Sequence, residues 1–475
     1  MAETLKHKAV NGVLWRIAEQ GGKQVIQFGI SVILARLIMP DQFGMVAMLT
    51  VFMAIADVFI DSGFSTALIR KNDRTPEDCS TVYWFNILIS VGCYFILYLL
   101  APLIAKFYNM MELSLILRVS SLGFVISSFA GVHRTLLQLE LDFKSLAKFN
   151  ILAVIISGCV GVIFAYLDFK VWALVLQGLM MHVVNTVCVL WKVNWRPIMS
   201  FSTRSLKEFF SFGSKILASS LLDSVYNNIY SIVIGKAYKA SSLAFYNRAS
   251  NLTALTSSMP SMSLQSVLFP ALCKLQADEN ALRNGYCRAL RLSAFVVFPL
   301  CLGIGAVANP LIVTFYTERW IYVASLLSIL VFSQMWFPIH LINLSLLEVK
   351  GRSDLFFRLE IIKKIQGVLI LCLTFPFGLE AMCYGSVFCS ILSLIWNTHY
   401  TGIFLKMSII TQLKDIAPTF LLSIFMFVIS RFIANIMGNN IISLICAIIV
   451  GAFIYISIAV LTRFPQISEL KNIRK

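Results

Sequence analysis

A stripe of charged and amide side chains lies within the first apolar stretch of the chain. Its members, spaced mostly three and four residues apart, are Arg16, Glu19, Gln20, Lys23 and Gln27. On a helix this spacing places all five on one face. A charge at the bilayer centre costs about 2.5–3.5 kcal/mol, so a face of this kind needs water, partners or a ligand. In an alternative interpretation, residues 1–23 form an amphipathic lead-in that lies against lipid headgroups.

A second polar stripe lies about 200 residues further along the chain. It contains Lys215, Asp223 and Asn227, and an offset of 200 superposes Asp223 on Lys23 and Asn227 on Gln27. Two such stripes that face each other would line a hydrated cavity with opposite charges across it. We therefore predict that Lys23 and Asp223 form a gating or proton-linked pair. The second stripe favours the interpretation that the first stripe lines a hydrated cavity over the interpretation that it is an amphipathic lead-in on the membrane surface.

Four more ionisable residues lie inside apolar stretches: Asp57, Asp61, Arg118 and His182. Asp57 is a candidate for coupling to a cation or proton, although a carboxylate near a helix end also pairs readily with loop cations. Arg118 could bind an anionic ligand or form an internal salt bridge. An isolated histidine such as His182 more often makes an interhelical hydrogen bond.

No catalytic or metal-binding motif accompanies these residues. The chain has no HExxH, GxxxxGK[ST] or GxSxG pattern, and its 11 cysteines include no CxxC pair. We expect no catalytic residues, no cofactor and no metal, so the sequence does not predict an enzyme. Because a nucleotide site is also absent from the sequence, any pumping would have to use ion gradients, substrate gradients or the membrane potential.

The composition is that of a polytopic membrane protein. Of 475 residues, 59% are hydrophobic and 13% are charged, whereas soluble domains carry about 25% charged residues. Apolar stretches of about 18–25 residues, the length that crosses a bilayer, recur throughout the chain. The net charge of +16 is explained by basic cytoplasmic loops, so we expect no nucleic-acid partner.

We predict an all-α bundle of about fourteen transmembrane helices. Basic residues number about 29 on one predicted side and about eight on the other, which indicates an even count with both termini in the cytoplasm. Twelve spans would satisfy the same parity. The predicted helices cover residues 14–38, 42–62, 80–105, 114–136, 146–167, 171–192, 208–235, 243–268, 288–315, 321–346, 355–376, 380–404, 415–436 and 440–461.

The chain contains an internal repeat. Residues 31–36, Ser-Val-Ile-Leu-Ala-Arg, match residues 231–236, Ser-Ile-Val-Ile-Gly-Lys, in chemical type at all six positions. We therefore predict an N-terminal lobe over residues 1–200, a C-terminal lobe over 201–405, and two further helices with a cytoplasmic tail over 406–475. Six helices per copy give a parallel repeat, a V-shaped pair of lobes that suits alternating-access transport.

Several segments resemble the polysaccharide-transport (Wzx-type) flippases of the multidrug/oligosaccharidyl-lipid/polysaccharide exporter superfamily. The resemblance covers nearly the whole chain and depends on the order and spacing of the segments together. They are 33–37, 40–44 and 61–69 in the first half, and 245–249, 269–272, 274–276, Trp320 and Ala324 in the second.

This resemblance implies a bacterial inner-membrane flippase that moves undecaprenyl-diphosphate-linked oligosaccharide repeat units to the periplasmic leaflet, for O-antigen, capsule or exopolysaccharide assembly. It implies that cavity cations hold the diphosphate, for which we select Arg16, Lys23, Arg118 and Lys215. Expected partners are membrane lipids, a polysaccharide polymerase, glycosyltransferases and a coupling ion, H⁺ or Na⁺.

Two alternative functions remain. One is a drug/cation antiporter of the same superfamily, whose cavity should be acidic. The other is a membrane-embedded glycan polymerase or ligase, which usually needs a large periplasmic loop.

Overall fold

The structure is a computed structural model that describes residues 21–61, 63–71 and 73–467. The side chains at positions 61, 208, 211, 212 and 215 lie outside this description. The described residues form α-helices and two short 3-10 helices (Glu318–Trp320 and Phe375–Phe377), joined by turns and loops, and contain no β-strand. The predicted all-α fold class is therefore confirmed.

The chain divides into two compact units, one ending at Ala244 and the other beginning at Phe245. The predicted lobes over 1–200 and 201–405 remain a prediction. In the first unit, helix α1 covers residues 21–37. It is followed by α2 (Pro40–Asp61), α3 (Phe64–Arg70), α4 (Pro76–Tyr108), α5 (Glu112–Ser120), α6 (Leu122–Ser128), α7 (Gly131–Leu139), α8 (Phe143–Tyr166), α9 (Val171–Lys192), α10 (Thr203–Asn227) and α11 (Ile229–Ala237).

Helix α12 (Ala240–Lys274) begins in the first unit and continues into the second. The remaining helices lie in the second unit. They are α13 (Glu279–Ala306), α14 (Ala308–Tyr316), α15 (Tyr322–Gln334), α16 (Phe337–Val349), α17 (Ser353–Thr374), α18 (Leu379–Leu405), α19 (Ile409–Met437) and α20 (Ile441–Leu461).

Within the described ranges, nine helical segments are long and apolar enough to cross a membrane, and ten if one bent helix pair counts as a span. The chain is thus a multi-pass membrane protein. The polar helices α10, α12 and α17 are not among the nine. The predicted total of fourteen spans remains a prediction.

Four predicted helices are wrong as single elements. The stretch predicted as 114–136 forms α5, α6 and α7, the stretch 321–346 forms α15 and α16, and the stretch 288–315 forms α13 and α14. The second break has a clear cause, because Pro338 lies at the start of α16 and cannot donate a backbone hydrogen bond to the preceding turn. The stretch 208–235 divides into α10 and α11 at Asn228, whose side-chain amide donates to the Ser224 carbonyl at 2.8 Å.

Polar hydrogen bonds hold the helices of the second unit together. The fully buried Tyr286 of α13 bonds the Asn343 side chain of α16 at 2.9 Å and the Gln412 side chain of α19 at 3.1 Å. Thr401 of α18 donates to the same Asn343 oxygen. Each partner would be left unsatisfied in an apolar interior without the others, so this cluster fixes the register of four helices.

Candidate functional site

Two helix junctions related by the internal repeat have the same local structure. In both residues 31–40 and residues 231–240, seven helical residues are followed by two non-helical residues and the first residue of the next helix. In each copy a helix ends at residue 37 or 237, and the next helix begins at Pro40 or Ala240. Leu34 and Ala35 are buried, as are Ile234 and Gly235. The offset of 200 inferred from residue types is therefore present in the backbone of this segment.

The two junctions contact each other within the first unit. Asp41 Oδ1 accepts a hydrogen bond from the backbone N–H of Ser241 at 3.1 Å, a separation of 200 residues in sequence. Ser241 lies in the first turn of α12, where backbone N–H groups have no intrahelical acceptor. The neighbouring Gln42 side chain accepts from the N–H of Val171 at 3.1 Å, at the start of α9. The start of α2 thereby caps two other helices.

Gly44 makes this approach of helices sterically feasible. A Cβ atom at position 44 would lie 1.9 Å from the carbonyl oxygen of Ala240. Backbone carbonyls are too rigid to move aside as the end of a flexible side chain would, so only glycine fits at this contact. We call the contact of Asp41, Gln42 and Gly44 with residues 171, 240 and 241 the junction clasp.

A second contact lies beside the junction clasp. Lys236, the repeat counterpart of Arg36, donates from Nζ to the carbonyl of Phe107 and lies 4.6 Å from the centre of the Phe107 ring. A Cβ on Gly235 would lie 3.0 Å from Tyr108 Cε1. The end of α11 thus packs on the end of α4. The basic-residue distribution predicts that this end of the helices faces the periplasm.

The predicted cationic site is only partly within the described residues. Arg16, Glu19 and Gln20 lie outside them, and the Lys215 side chain is likewise not described. Lys23 and Gln27 are half-buried on α1. Asp57 on α2 and both Asp223 and Asn227 on α10 are exposed.

Helix α10 packs against α2 and α3, which brings Asp57 and Asp223 onto neighbouring helices of the first unit. The pairing of Lys23 with Asp223 remains a prediction.

Arg118 has a structural role that its sequence position did not indicate. Pro102, in the interior of α4, has no N–H, so the Tyr98 carbonyl one turn earlier lacks its helical donor. Arg118 Nε donates to that carbonyl at 3.3 Å, and the guanidinium carbon lies 4.2 Å from the Tyr98 ring centre. The contact offsets the defect that proline leaves in the helix. Binding of a diphosphate by Arg118 remains a prediction.

An apolar cavity of about 370 Å³ lies within the second unit, among α12, α13, α14, α19 and α20. Its walls are mostly aliphatic, and Gly303 leaves room on α13, since a Cβ there would meet its nearest atom, Met426 Cε, at 3.8 Å. Its few hydroxyl groups include that of Tyr455, which already donates to the Phe295 carbonyl at 2.9 Å. A wall of this composition suits a hydrocarbon chain and offers no group to stabilise a phosphate.

The junction clasp was not among the predicted site residues, although Asp41 and Gly44 lie in one of the segments that carried the family resemblance. One sequence signal could have indicated it. The offset of 200 pairs Asp41 with Ser241 directly, and equivalent positions meet when a local pseudo-two-fold axis passes between them.

Comparison with known proteins places the chain among polysaccharide-related membrane proteins. A family model described as "Polysaccharide biosynthesis protein" matches residues 33–325. The chain is 29% identical over 326 residues to the teichuronic acid biosynthesis protein TuaB of Bacillus subtilis, covering 66% of this chain and 65% of TuaB. The alignment therefore spans slightly less than two thirds of TuaB.

Two further comparisons extend over nearly the whole chain. The succinoglycan biosynthesis transport protein ExoT of Rhizobium meliloti is 20% identical over 493 residues, covering 100% of this chain and 97% of ExoT. The lipid II flippase MurJ in an inward closed conformation superposes with a TM-score of 0.77 at 14% identity, over 95% of this chain and 99% of MurJ. At this identity the MurJ likeness concerns the fold alone.

Proposed function

The chain belongs to the polysaccharide biosynthesis protein family, and from this premise we propose that it is a flippase for lipid-linked oligosaccharides. Its cargo would be an undecaprenyl-diphosphate-linked repeat unit, carried from the cytoplasmic to the periplasmic leaflet of a bacterial inner membrane. The observation that carries the proposal is the family match, together with the full-length alignment to ExoT, which is described as a transport protein. The MurJ-like fold supports it as a suitable architecture.

The cationic residues of the first unit supply the chemistry that the cargo head requires. A diphosphate carries two negative charges, and its transfer through a low-dielectric region needs basic partners. We propose that Lys23 and Lys215 contribute to this site together with Arg16 and Arg118. An inside-negative potential favours outward movement of the head by about 2.3 kcal/mol per charge per 100 mV.

The apolar cavity of the second unit offers a place for part of the polyprenyl tail. Its volume of about 370 Å³ is within the range of small-molecule sites, and its walls are almost free of groups that would need water. Head and tail would then be held by different parts of the chain, which matches the two-part chemistry of a lipid-linked sugar.

The junction clasp is the proposed outer gate. Alternating access needs a contact that closes one end of the transport path and opens to release the cargo. A single exposed hydrogen bond from the Ser241 N–H to Asp41 and a glycine-mediated backbone contact are strong enough to define a closed state and weak enough to break.

The experiment depletes the chain in a host that makes its cognate glycan and then measures where the lipid-linked repeat unit accumulates. We expect accumulation on the cytoplasmic leaflet, read as resistance of the sugar to a glycosidase added to spheroplasts. Rescue by the wild-type chain should restore digestion, and rescue by Lys23→Ala with Lys215→Ala should be slower. Lys192→Ala, which removes an exposed cation at the end of α9, is the matched control.

Unchanged export after depletion would remove the flippase assignment. Normal export by the Lys23, Lys215 double variant would leave the flippase intact and remove the proposed head-binding site. The two outcomes are therefore distinguishable.

A further inference from the structure

The segment that joins α9 to α10 has no regular secondary structure, yet its backbone is held in place. We call this segment, residues 193–202, the strap. The Trp84 side chain donates to the Ile198 carbonyl at 3.0 Å, and the Ile198 N–H donates to the Ser80 hydroxyl at 3.1 Å. The Ser202 N–H donates to Thr81 Oγ1 at 3.0 Å. The strap is therefore bonded to the beginning of α4.

Helix α7 holds the strap at a second place. His133 Nε2 donates to the Trp195 carbonyl at 3.2 Å. The Trp195 ring packs edge-on against the imidazole and against the Tyr83 ring, with ring centres 5.1 and 5.9 Å apart. Contacts with both α4 and α7 make the strap a fixed surface element of the first unit.

The helices that the strap touches place it at the edge of the bilayer. Helices α4 and α9 are both long and apolar enough to cross a membrane. The strap follows the last residue of α9 and contacts the beginning of α4. A segment at the ends of two spanning helices lies at the membrane–water interface. The basic-residue distribution predicts that this is the cytoplasmic interface.

Large apolar side chains of the strap are exposed. Met199 is 92% exposed, and Ile198 and Phe201 are each 47% exposed. Trp191, in the last turn of α9, is 85% exposed. Tryptophan is enriched at membrane interfaces, and exposed apolar groups beside a bilayer are stabilised when they insert at the boundary between headgroups and acyl chains.

The same stretch of chain is basic. Residues 193–207 contain Arg196, Arg204 and Lys207 and no acidic residue. All three cations are exposed. The next acidic residue along the chain is Glu208, whose side chain lies outside the description.

The neighbouring loop does not neutralise these cations. Residues 70–78, which lead into α4, contain three basic and three acidic residues, and Asp78 among them pairs with Lys71 at 3.1 Å. Among the acidic side chains that the structure describes, none forms an ion pair with a cation of residues 193–207. The positive charge beside the strap is therefore available to groups outside the chain.

We propose that the strap is a docking surface for anionic phospholipids of the membrane leaflet. Its apolar side chains insert between lipids, and Arg196, Arg204 and Lys207 contact the headgroup phosphates. The apolar part provides contact with any bilayer, whereas the cations select anionic over zwitterionic headgroups. Because the strap is already fixed by its hydrogen bonds, little conformational entropy is lost when lipid binds. The surface is separate from the proposed site of the cargo head.

The experiment identifies the lipid beside the strap by photo-crosslinking. The full-length protein with p-benzoylphenylalanine in place of Met199 is purified into nanodiscs that contain equal amounts of phosphatidylglycerol and phosphatidylcholine. Mass spectrometry then gives the ratio of the two lipid adducts. Three cations near an anionic surface allow a preference of up to roughly a hundredfold, so we expect phosphatidylglycerol adducts to exceed phosphatidylcholine adducts by at least about tenfold. High salt should reduce this ratio, because exposed charges are screened.

Charge variants test the origin of the preference. Replacement of Arg196, Arg204 and Lys207 together by Gln should bring the adduct ratio close to one. Arg204→Gln with Lys207→Gln leaves every hydrogen bond of the strap to α4 and α7 in place, and should still lower the ratio at least about threefold. Lys106→Gln, an exposed cation in the last turn of α4, is the matched control and should not change it.

A second probe position gives the baseline. Leu99, in the interior of α4, is 72% exposed, and p-benzoylphenylalanine at this position should give nearly equal adducts of the two lipids. Equal adducts at position 199 as well would overturn the proposal. So would a lack of any lipid adduct at 199, or a preference that the charge variants leave unchanged. The nanodiscs contain no lipid-linked sugar and no transport is measured, so the outcome is independent of the flippase proposal.

Discussion

Gly44→Ala tests whether the junction clasp is a gate. The added Cβ would lie 1.9 Å from the Ala240 carbonyl oxygen, whereas an ordinary contact of this type is about 3.3 Å. The start of α2 and the start of α12 must therefore separate by about 1.4 Å. The hydrogen bond from the Ser241 N–H to Asp41, now 3.1 Å, would then exceed bonding distance.

The free-energy change follows from these two effects. Overpacking at a rigid contact costs about 1–3 kcal/mol, and loss of an exposed hydrogen bond costs about 1 kcal/mol. Their lower limit, about 2 kcal/mol, corresponds to roughly a 30-fold shift from the closed clasp toward the open one. Since the change penalises only the closed state, we expect the protein to remain folded with its outer end open.

The assay measures labelling of Ser241→Cys by a membrane-impermeant maleimide in intact cells, resolved by peptide mass spectrometry. Cysteine keeps the backbone N–H that Asp41 accepts, so the probe itself preserves the clasp. Gly44→Ala should raise the labelling rate at least tenfold. The control is Gly92→Ala in α4, where a Cβ meets no atom within 4 Å. An unchanged labelling rate in Gly44→Ala, at normal expression, would refute the gate.

Three other predictions follow from single contacts. Arg118→Leu should destabilise the protein by about 1–2 kcal/mol, because it removes the donor to a carbonyl left open by Pro102. Pro102→Ala restores the backbone N–H that the Tyr98 carbonyl lacks, so the Arg118→Leu, Pro102→Ala double variant should recover most of the lost stability in thermal unfolding. If Arg118→Leu destabilises the Pro102→Ala protein as much as it destabilises the wild type, the explanation is wrong. Gly303→Leu should fill the apolar cavity and slow export of the lipid-linked repeat unit without lowering stability, and normal export would show that the cavity does not hold the tail. Lys23→Arg should retain transport where Lys23→Gln does not, measured by the glycosidase-protection assay; equal activity would exclude a role for positive charge.

Much of the fold was predictable because a bilayer imposes simple rules on sequence. An all-α bundle follows from apolar stretches of spanning length, since helices satisfy their own backbone hydrogen bonds in lipid. Several helix ends coincide with residues that favour positive φ angles, such as Asn109 and Gly378, which adopt φ angles of 56° and 104°. The break at Pro338 could also have been inferred, because proline cannot continue the hydrogen-bond ladder.

The sequence by itself determined the class of the protein, the offset of 200 and the residue types of the candidate site, because these depend on composition and on short-range spacing. Only the tertiary structure decided which groups meet. It placed Arg118 against the carbonyl freed by Pro102, and it brought Asp41 to Ser241 across 200 residues. Spacing along one helix fixes a face, but the partner of that face depends on packing between helices that are distant in sequence.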